Sequence, residues 1–373
     1  MRSTARLGFL ALAALAALSG CSTFEPPPGS TVSAESWNAR LARRGVTPAE
    51  APNPMALTPE MALAASGLAG AGTENERLER LRQALLDGKT FSFEYEKYST
   101  FTSTEAFEAR RGNCVSFTNL FIALGRSLGS RLQAALVSAR GASERQGDLV
   151  VTHNHMVAVH PAPGSHTAWT YDFFQGVEEP IGTLILLDDL EVAAVLASNA
   201  GVAHLGRGEN VEARREFELA VKLGPRLGAF WANLGLAAWR MGDTPSALAA
   251  YGRGLEVDAG SPPLHQNLAA LYVEQGRPAE ARAALASIDT TRASPYAFLV
   301  RGDLEMAGGG FKQAIANYRK AAGVDPKLVE PWLAIARAEL MRGRPAAARK
   351  AAEKALKRDP KSSDARRLLD EIR

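Results

Sequence analysis

Beyond about residue 194 the apolar positions of this chain recur at helical spacing, in pairs of short stretches separated by a glycine. Gly208, Gly242, Gly276, Gly309 and Gly343 stand 34, 34, 33 and 34 residues apart. Ala213, Ala247, Ala281, Ala314 and Ala348 keep the same step, as do Pro326 and Pro360. Each step predicts two amphipathic helices, both too short to be stable alone. Glycine ends the first, and Pro245, Pro278 or Pro345 opens the second. Five such units span 194–362, and 363–373 predicts a polar-faced capping helix with Ser363 as its N-cap.

Residues 50–190 follow a different pattern. Thr73-Glu-Asn-Glu76 is a capping box that opens a helix to about Leu86. Phe91, Phe93 and Tyr95 alternate with polar residues as in a short strand. Val115, Leu120, Phe121, Leu124 and Leu128 have helical spacing, which puts Cys114 at or near a helix N-terminus behind the irregular pair Gly112-Asn113. Arg131–Ser138 and Leu149–His160 read as strands on either side of a polar loop, Gly141–Asp148. Ala168–Phe174 and Thr183–Leu187 read as two more. A helix followed by an antiparallel meander is an α+β arrangement.

The N-terminus supplies an address. Arg2 and Arg6 precede an uncharged run, Leu7 to Leu18, which has the length of a signal-peptide core and is too short to span a bilayer. It ends in Leu18-Ser19-Gly20-Cys21, which resembles the lipobox of bacterial lipoproteins. The resemblance implies that residues 1–20 are removed, that Cys21 carries the lipid, and that 21–49, with Glu25-Pro26-Pro27-Pro28, form a tether. Ser22 after the cysteine implies the outer membrane, facing the periplasm. Cys114 is then the one free thiol of an exported chain, to be either buried and inert or reactive.

Composition narrows the choice of class. A chain of 373 residues has room for two or three domains, and 46% hydrophobic with 22% charged residues is enough to bury real cores. The formal charge of +3 falls to +1 once Arg2 and Arg6 leave, which lacks the basic field of a nucleic-acid binder. Two cysteines exclude a disulfide-rich scaffold.

Cysteine at a helix N-terminus is chemically suggestive, because unpaired backbone N–H groups and the helix dipole stabilise a thiolate. Gly112-Asn-Cys114, the helix end Ala123-Leu-Gly-Arg-Ser-Leu-Gly129, His155-Met-Val-Ala-Val159 and Trp169-Thr-Tyr-Asp172 follow one another in order. Over residues 90–190 this resembles the transglutaminase-like superfamily of papain-like thiol enzymes. The resemblance implies Cys114 as nucleophile, His155 as the base that activates it and Asp172 as the group that orients the imidazole. Met156 and Phe173 depart from residues common in that family and leave the substrate open. The Cys114 backbone N–H is the expected oxyanion donor, with Tyr98 and Asn113 as further candidates.

Other uses of these residues stand beside that one. Cys114 would serve as a small buried apolar group, His155 as a satisfied core histidine and Asp172 as a turn cap. Cys114, His153 and His155 would make three metal ligands, although no second cysteine supports zinc, and no cofactor is expected. His153 competes with His155 for the role of base. Val157 and Val159 continue the alternation from His155, which favours His155.

In the second repeat, Trp231-Ala-Asn-Leu234-Gly235 is followed by Gly242, Ala247 and Tyr251, and with the 34-residue step this resembles the tetratricopeptide repeat. That family implies a superhelix with a concave groove for an extended peptide or protein partner. Asn233 and Asn267 fall where related arrays hydrogen-bond a bound backbone; the other use of such an asparagine is a turn-facing consensus position. Trp231 and Trp332 read as packing residues, Leu285 as a departure from the usual large aromatic, and the basic run Arg342 to Arg358 as a solvated helical face.

The expected fold is an α+β transglutaminase-like (papain-like) domain followed by an all-α tetratricopeptide-repeat superhelix. The expected function is that of a membrane-anchored, cysteine-dependent acyl-transfer enzyme acting on peptide or Gln amides through a thioester, with the array recruiting a polypeptide partner. The alternative is a non-catalytic scaffold or assembly lipoprotein that works through its repeats. A chain ending near residue 190 is expected to fold by itself.

Overall fold

A computed structural model of the chain describes residues 36–372 apart from 88, 98, 139–142, 147–148, 153–154, 162–167, 173–182 and 289–293. Cys21 and the signal segment 1–20 therefore lie outside the described residues, as do His153 and Tyr98. No helix among the described residues is long and apolar enough to cross a membrane.

The N-terminal elements are α1 (Trp37–Ala42), α2 (Pro59–Ala69), α3 (Glu74–Leu86), β1 (Glu94–Tyr95), α4 (Ser103–Ala109), β2 (Arg111–Gly112) and α5 (Cys114–Ser127). The capping box read at Thr73 and Glu76 is present, and α3 ends at Leu86 as expected. The segment expected as a tether already packs by Trp37: Leu41 of α1 and the following Val46 are both in the core. The alternating aromatics 91–95 form only a two-residue strand, β1, which pairs in parallel with β2. Helix α5 is buried on every side from Val115 to Gly125, its polar Ser116, Thr118 and Asn119 included, each of which donates to a backbone carbonyl.

Next come β3 (Gln133–Ser138), β4 (Ser143–Gln146), β5 (Leu149–Thr152), β6 (His155–Pro161), β7 (Ala168–Tyr171) and β8 (Thr183–Leu187). The sheet order is β7-β6-β3-β8, antiparallel throughout, so β8 returns to the far side of β3 and the arrangement is not a simple meander. The stretch 149–160 is two strands rather than one. β5 pairs with β4 in a separate hairpin, which occupies the expected polar loop, while β6 joins the main sheet. One face of the main sheet (Leu136, Met156, Ala158, Tyr171) packs with α5 in the large core, and the other carries Ala135, Val137, Val157 and Val159.

The repeats follow as helix pairs: α6 (Asp189–Gly206) with α7 (Asn210–Leu223), α8 (Gly228–Arg240) with α9 (Thr244–Val257), α10 (Pro262–Glu274) with α11 (Pro278–Ala286), α12 (Pro295–Ala307) with α13 (Phe311–Val324), and α14 (Glu330–Met341) with α15 (Pro345–Arg358). The closing α16 (Ser363–Glu371) is capped by Ser362 rather than Ser363. The five spaced glycines all have φ between +66° and +78°, the left-handed backbone that ends the first helix of each pair. In the first, second and fourth pairs a glycine on the first helix faces an aromatic ring 16 positions later. A Cβ on Gly201 or Gly235 would stand 2.5 Å from the ring of Phe217 or Tyr251. Where Leu285 replaces the aromatic, its counterpart is Ala269, so the departure in the third repeat is a matched exchange of volume. Lys354 and Arg358 lie 4.3 and 4.7 Å from the Trp332 ring centroid, so part of the basic run packs on an aromatic instead of standing free in solvent.

The expected division between the two parts does not coincide with a break in packing. The first array helix begins at Asp189, under a capping box from Asp188 and Glu191. Its residues Val192, Ala193, Ala194 and Val195 share one apolar cluster with Leu41, Phe121 and Leu124. That cluster continues through Val221 and Leu223 of α7 to Phe230 of α8. Polar bonds follow the same path. Both guanidinium ends of Arg126 donate to the Asp189 carboxylate at 3.0 Å, and Arg40 reaches Asp188 at 3.3 Å. Arg226 pairs with Glu191 and donates to the Leu186 carbonyl at 2.6 Å.

Candidate active site

The site forms where β2 hands over to α5. Gly112 has φ +151°, and a Cβ there would collide with the Ser116 side chain, so only glycine fits this entry to the helix. Asn113 is the N-cap: its Oδ1 accepts from the Val115 and Ser116 amides at 3.0 and 3.2 Å. Cys114 is the first helical residue and is partly exposed. A thiolate there meets the positive end of the α5 dipole.

His155 opens β6, opposite Val137 of β3. The Thr118 hydroxyl donates to the Met156 carbonyl at 3.1 Å and ties that strand end to α5. The His155 Nε2 lies 2.7 Å from Asp172 Oδ1, just past the end of β7. Burial works against the His155 cation. Hydrogen bonds to Asp172 and to Cys114, together with the charges of both, overcome it and push the imidazole up to about 10. The ring is thus cationic at neutral pH and bonded on both sides. Nε2 is spent on Asp172, which leaves Nδ1 for the sulfur. The structure therefore brings Cys114, His155 and Asp172 together, as the sequence order suggested. The other β6 histidine, His160, is buried, lies 2.8 Å from Glu74 Oε1 and stacks on Trp169.

One site residue escaped the sequence reading. Tyr95 pairs in register with Gly112, two residues before the nucleophile. Tyr95 is exposed, and its phenol is pushed up by partial burial and by the Cys114 charge, so it stays protonated at neutral pH. The signal was faint: a single aromatic in an alternating stretch, whose partner strand is two residues long. Asn113, one of the expected oxyanion donors, is already committed, since its Nδ2 donates to Thr100 at 2.7 Å. A cleft of about 470 Å³ between α3 and β7 opens beside Asp172, lined by Asn75, Glu79, Arg82 and the exposed Trp169. Among the described residues no group of three or more His, Cys, Asp or Glu side chains is placed to hold a metal ion.

Asn233 and Asn267 are both buried, in contrast to open groove positions. Asn233 Nδ2 donates to Ser198 of the preceding repeat at 3.0 Å, a repeat-to-repeat bond. Asn267 Nδ2 has no partner among the described residues. Strand β5 lies against α8 and α10, the two helices that carry these asparagines. Trp231 is a packing residue, as expected, and its indole donates to the Pro225 carbonyl at 2.8 Å.

The transglutaminase-like superfamily matches residues 61–169, a span that holds Cys114 and His155 and stops just short of Asp172. Tetratricopeptide repeats match 238–301 and 305–372. The chain carries a transglutaminase-like domain followed by tetratricopeptide repeats. Solved structures similar to it include PilW, a widely conserved type IV pilus biogenesis factor, with 18% identity over 48% of this chain and 84% of that one at a TM-score of 0.44. Others are pilF of Pseudomonas aeruginosa (17%, 50% and 85%, 0.43) and TTC0263, a thermophilic tetratricopeptide-repeat protein of Thermus thermophilus (21%, 48% and 98%, 0.45). No curated protein matches the chain.

Proposed function

We propose that the chain is a membrane-anchored thiol acyl-transfer enzyme whose Cys114 attacks peptide or glutamine amides, with the repeat array recruiting the polypeptide. The observation that carries this reading is the single His155 ring, bonded to both Asp172 and Cys114 at the start of α5. The proposed cycle begins from a thiolate–imidazolium pair, with the proton on His155. Sγ attacks the amide carbonyl carbon, and the displaced electron pair moves to oxygen, where the Cys114 N–H and the Tyr95 hydroxyl donate to it. His155 Nδ1–H passes its proton to the departing nitrogen as the C–N bond breaks, which leaves a thioester and a neutral imidazole. Water or a primary amine gives its proton to His155, attacks the thioester and restores the thiolate–imidazolium pair. Hydrolysis and transfer differ only in that second nucleophile.

The lipobox resemblance at Cys21 supports an outer-membrane anchor with the folded part in the periplasm. A Cys21→Ser chain that still partitions with membranes as strongly as the parent removes that part of the reading. For the chemistry, p-nitrophenyl acetate serves as a substrate-independent acyl donor. A burst of p-nitrophenol with one acetyl group mapped to Cys114 is expected, absent in Cys114→Ala. A parent chain acylated no faster than a model thiol would leave the repeats as the working surface, the scaffold alternative.

A further inference from the structure

The helix cap that holds Cys114 is itself held by the repeat array. Asn113 uses Oδ1 on the first turn of α5, so its Nδ2 faces the other way and donates to Thr100 Oγ1 at 2.7 Å. The loop on either side of Thr100 is stitched to the same helix. Ser116 Oγ donates to the Ser99 carbonyl at 3.2 Å and accepts from the Phe101 amide at 2.8 Å. The Asn113 amide donates to the Ser99 carbonyl at 2.9 Å, and Asn119 Nδ2 to the Phe101 carbonyl at 3.1 Å. The Thr100 hydroxyl oxygen then accepts a second bond, at 3.1 Å, from Nδ2 of Asn199. Asn199 is on α6, the first helix of the array.

We propose that Asn199 is a positioning residue for Cys114: through Thr100 and Asn113, the array's first helix sets the cap of the thiol helix. This rests on the thiol reading above and adds a regulation to it. Helix α6 is fastened to this part of the chain at a second point, where Asp189 at its start holds Arg126 near the end of α5. A partner that tilts α6 moves Asn199 relative to a Thr100 that α5 itself holds. With its second donor withdrawn, the Thr100 side chain is free to rotate although its backbone stays on α5; Asn113 Nδ2 then loses a fixed acceptor, and the carboxamide is free to turn away from the Val115 and Ser116 amides. Those two N–H groups belong to the helix end that stabilises the thiolate. Occupancy of the array is thereby read at the nucleophile with no contact between partner and sulfur.

The test uses the full chain with Asn199→Leu, Asn199→Asp, Thr100→Val and the Thr100→Val/Asn199→Leu pair. Two readouts are taken: iodoacetamide alkylation of Cys114 across pH, and hydrogen exchange of the Val115 and Ser116 amides. One lost hydrogen bond predicts about a five- to tenfold slower alkylation and a matching rise in exchange at those two amides. Asn199→Leu shows the full loss, Asn199→Asp, which keeps an acceptor for the Thr100 hydroxyl, shows no more than that, and the double variant is no worse than Thr100→Val alone. Additive losses, or exchange that rises evenly over α5 and α6, mean that Asn199 only stabilises the fold, and overturn the proposal. Unchanged alkylation and exchange in both Asn199 variants overturn it as well. If the parent thiol is unreactive but the two amides still respond to Asn199, the relay stands and the thiol reading fails.

Discussion

Asp172→Asn removes a charge from the site while keeping its shape, because the amide oxygen still accepts from His155 Nε2. His155 is raised from 6.5 to about 10. That rise of about 3.5 pH units corresponds to about 5 kcal/mol of net preference for the cation, at 1.36 kcal/mol per unit. It is net of burial and is divided between two anions, Asp172 and Cys114. If the two contribute comparably and the hydrogen bond survives, the variant lowers His155 by about 1 to 2 pH units. The assay is the pH dependence of Cys114 acylation by p-nitrophenyl acetate, with Cys114 resolved from Cys21 by peptide mapping. In the parent the alkaline limb lies near pH 10, where His155 loses its proton; in the variant it moves down to about 8 to 9. Stability follows the same ionisation. The folded state binds the His155 proton more tightly than the unfolded chain does, so its contribution is complete below about pH 6.5 and is lost as pH rises through about 10. In Asp172→Asn that loss is smaller and is complete at a lower pH. Superimposable acylation profiles for parent and variant would refute an electrostatic role for Asp172.

Four further perturbations separate catalysis, repeat packing and the junction. Tyr95→Phe slows acylation by about 100-fold if its hydroxyl serves the oxyanion, yet leaves alkylation by iodoacetamide unchanged, since that reaction develops no oxyanion; equal effects on both contradict the role. Gly235→Ala forces a Cβ against Tyr251 and destabilises by about 1–3 kcal/mol in denaturant titrations. Gly252→Ala, on α9 with open space around it, stabilises by about 0.5–1 kcal/mol, and a Gly235→Ala chain as stable as Gly252→Ala would contradict the packing. A chain truncated after residue 190 opens the apolar cluster that Val192, Ala194 and Val195 share with Phe121 and Leu124 and does not unfold cooperatively; a soluble, cooperative, thiol-reactive product would contradict the shared core.

Features that repeat or are capped locally were legible in the sequence. The 34-residue step, the capping box at Thr73 and the start of α5 at Cys114 each depend on residues close in sequence, whose backbone demands are strong. The triad was legible through order alone, because helix, strand and next strand each bring one of its residues to the same end of the sheet. What the sequence hid is set by contacts between distant segments. Nothing near residue 190 announces that α6 packs into the thiol unit; its residues suit either a repeat core or a domain core. The split of 149–160 into β5 and β6 was hidden because both halves alternate with the same period, and only their partners differ. Asn233 and Asn267 carry groove-like spacing, but their burial depends on the neighbouring repeat and on what packs beside α8 and α10.

The most direct test is the rate at which iodoacetamide alkylates Cys114 at pH 6, in the parent, in His155→Ala and in His153→Ala. A thiolate held by the His155 cation at the α5 N-terminus predicts a parent rate well above that of a model thiol, whose pKa is about 8.5. It also predicts loss of that excess in His155→Ala and little change in His153→Ala. A parent rate equal to the model thiol's, or an excess that survives removal of His155, would contradict a catalytic Cys114–His155–Asp172 site.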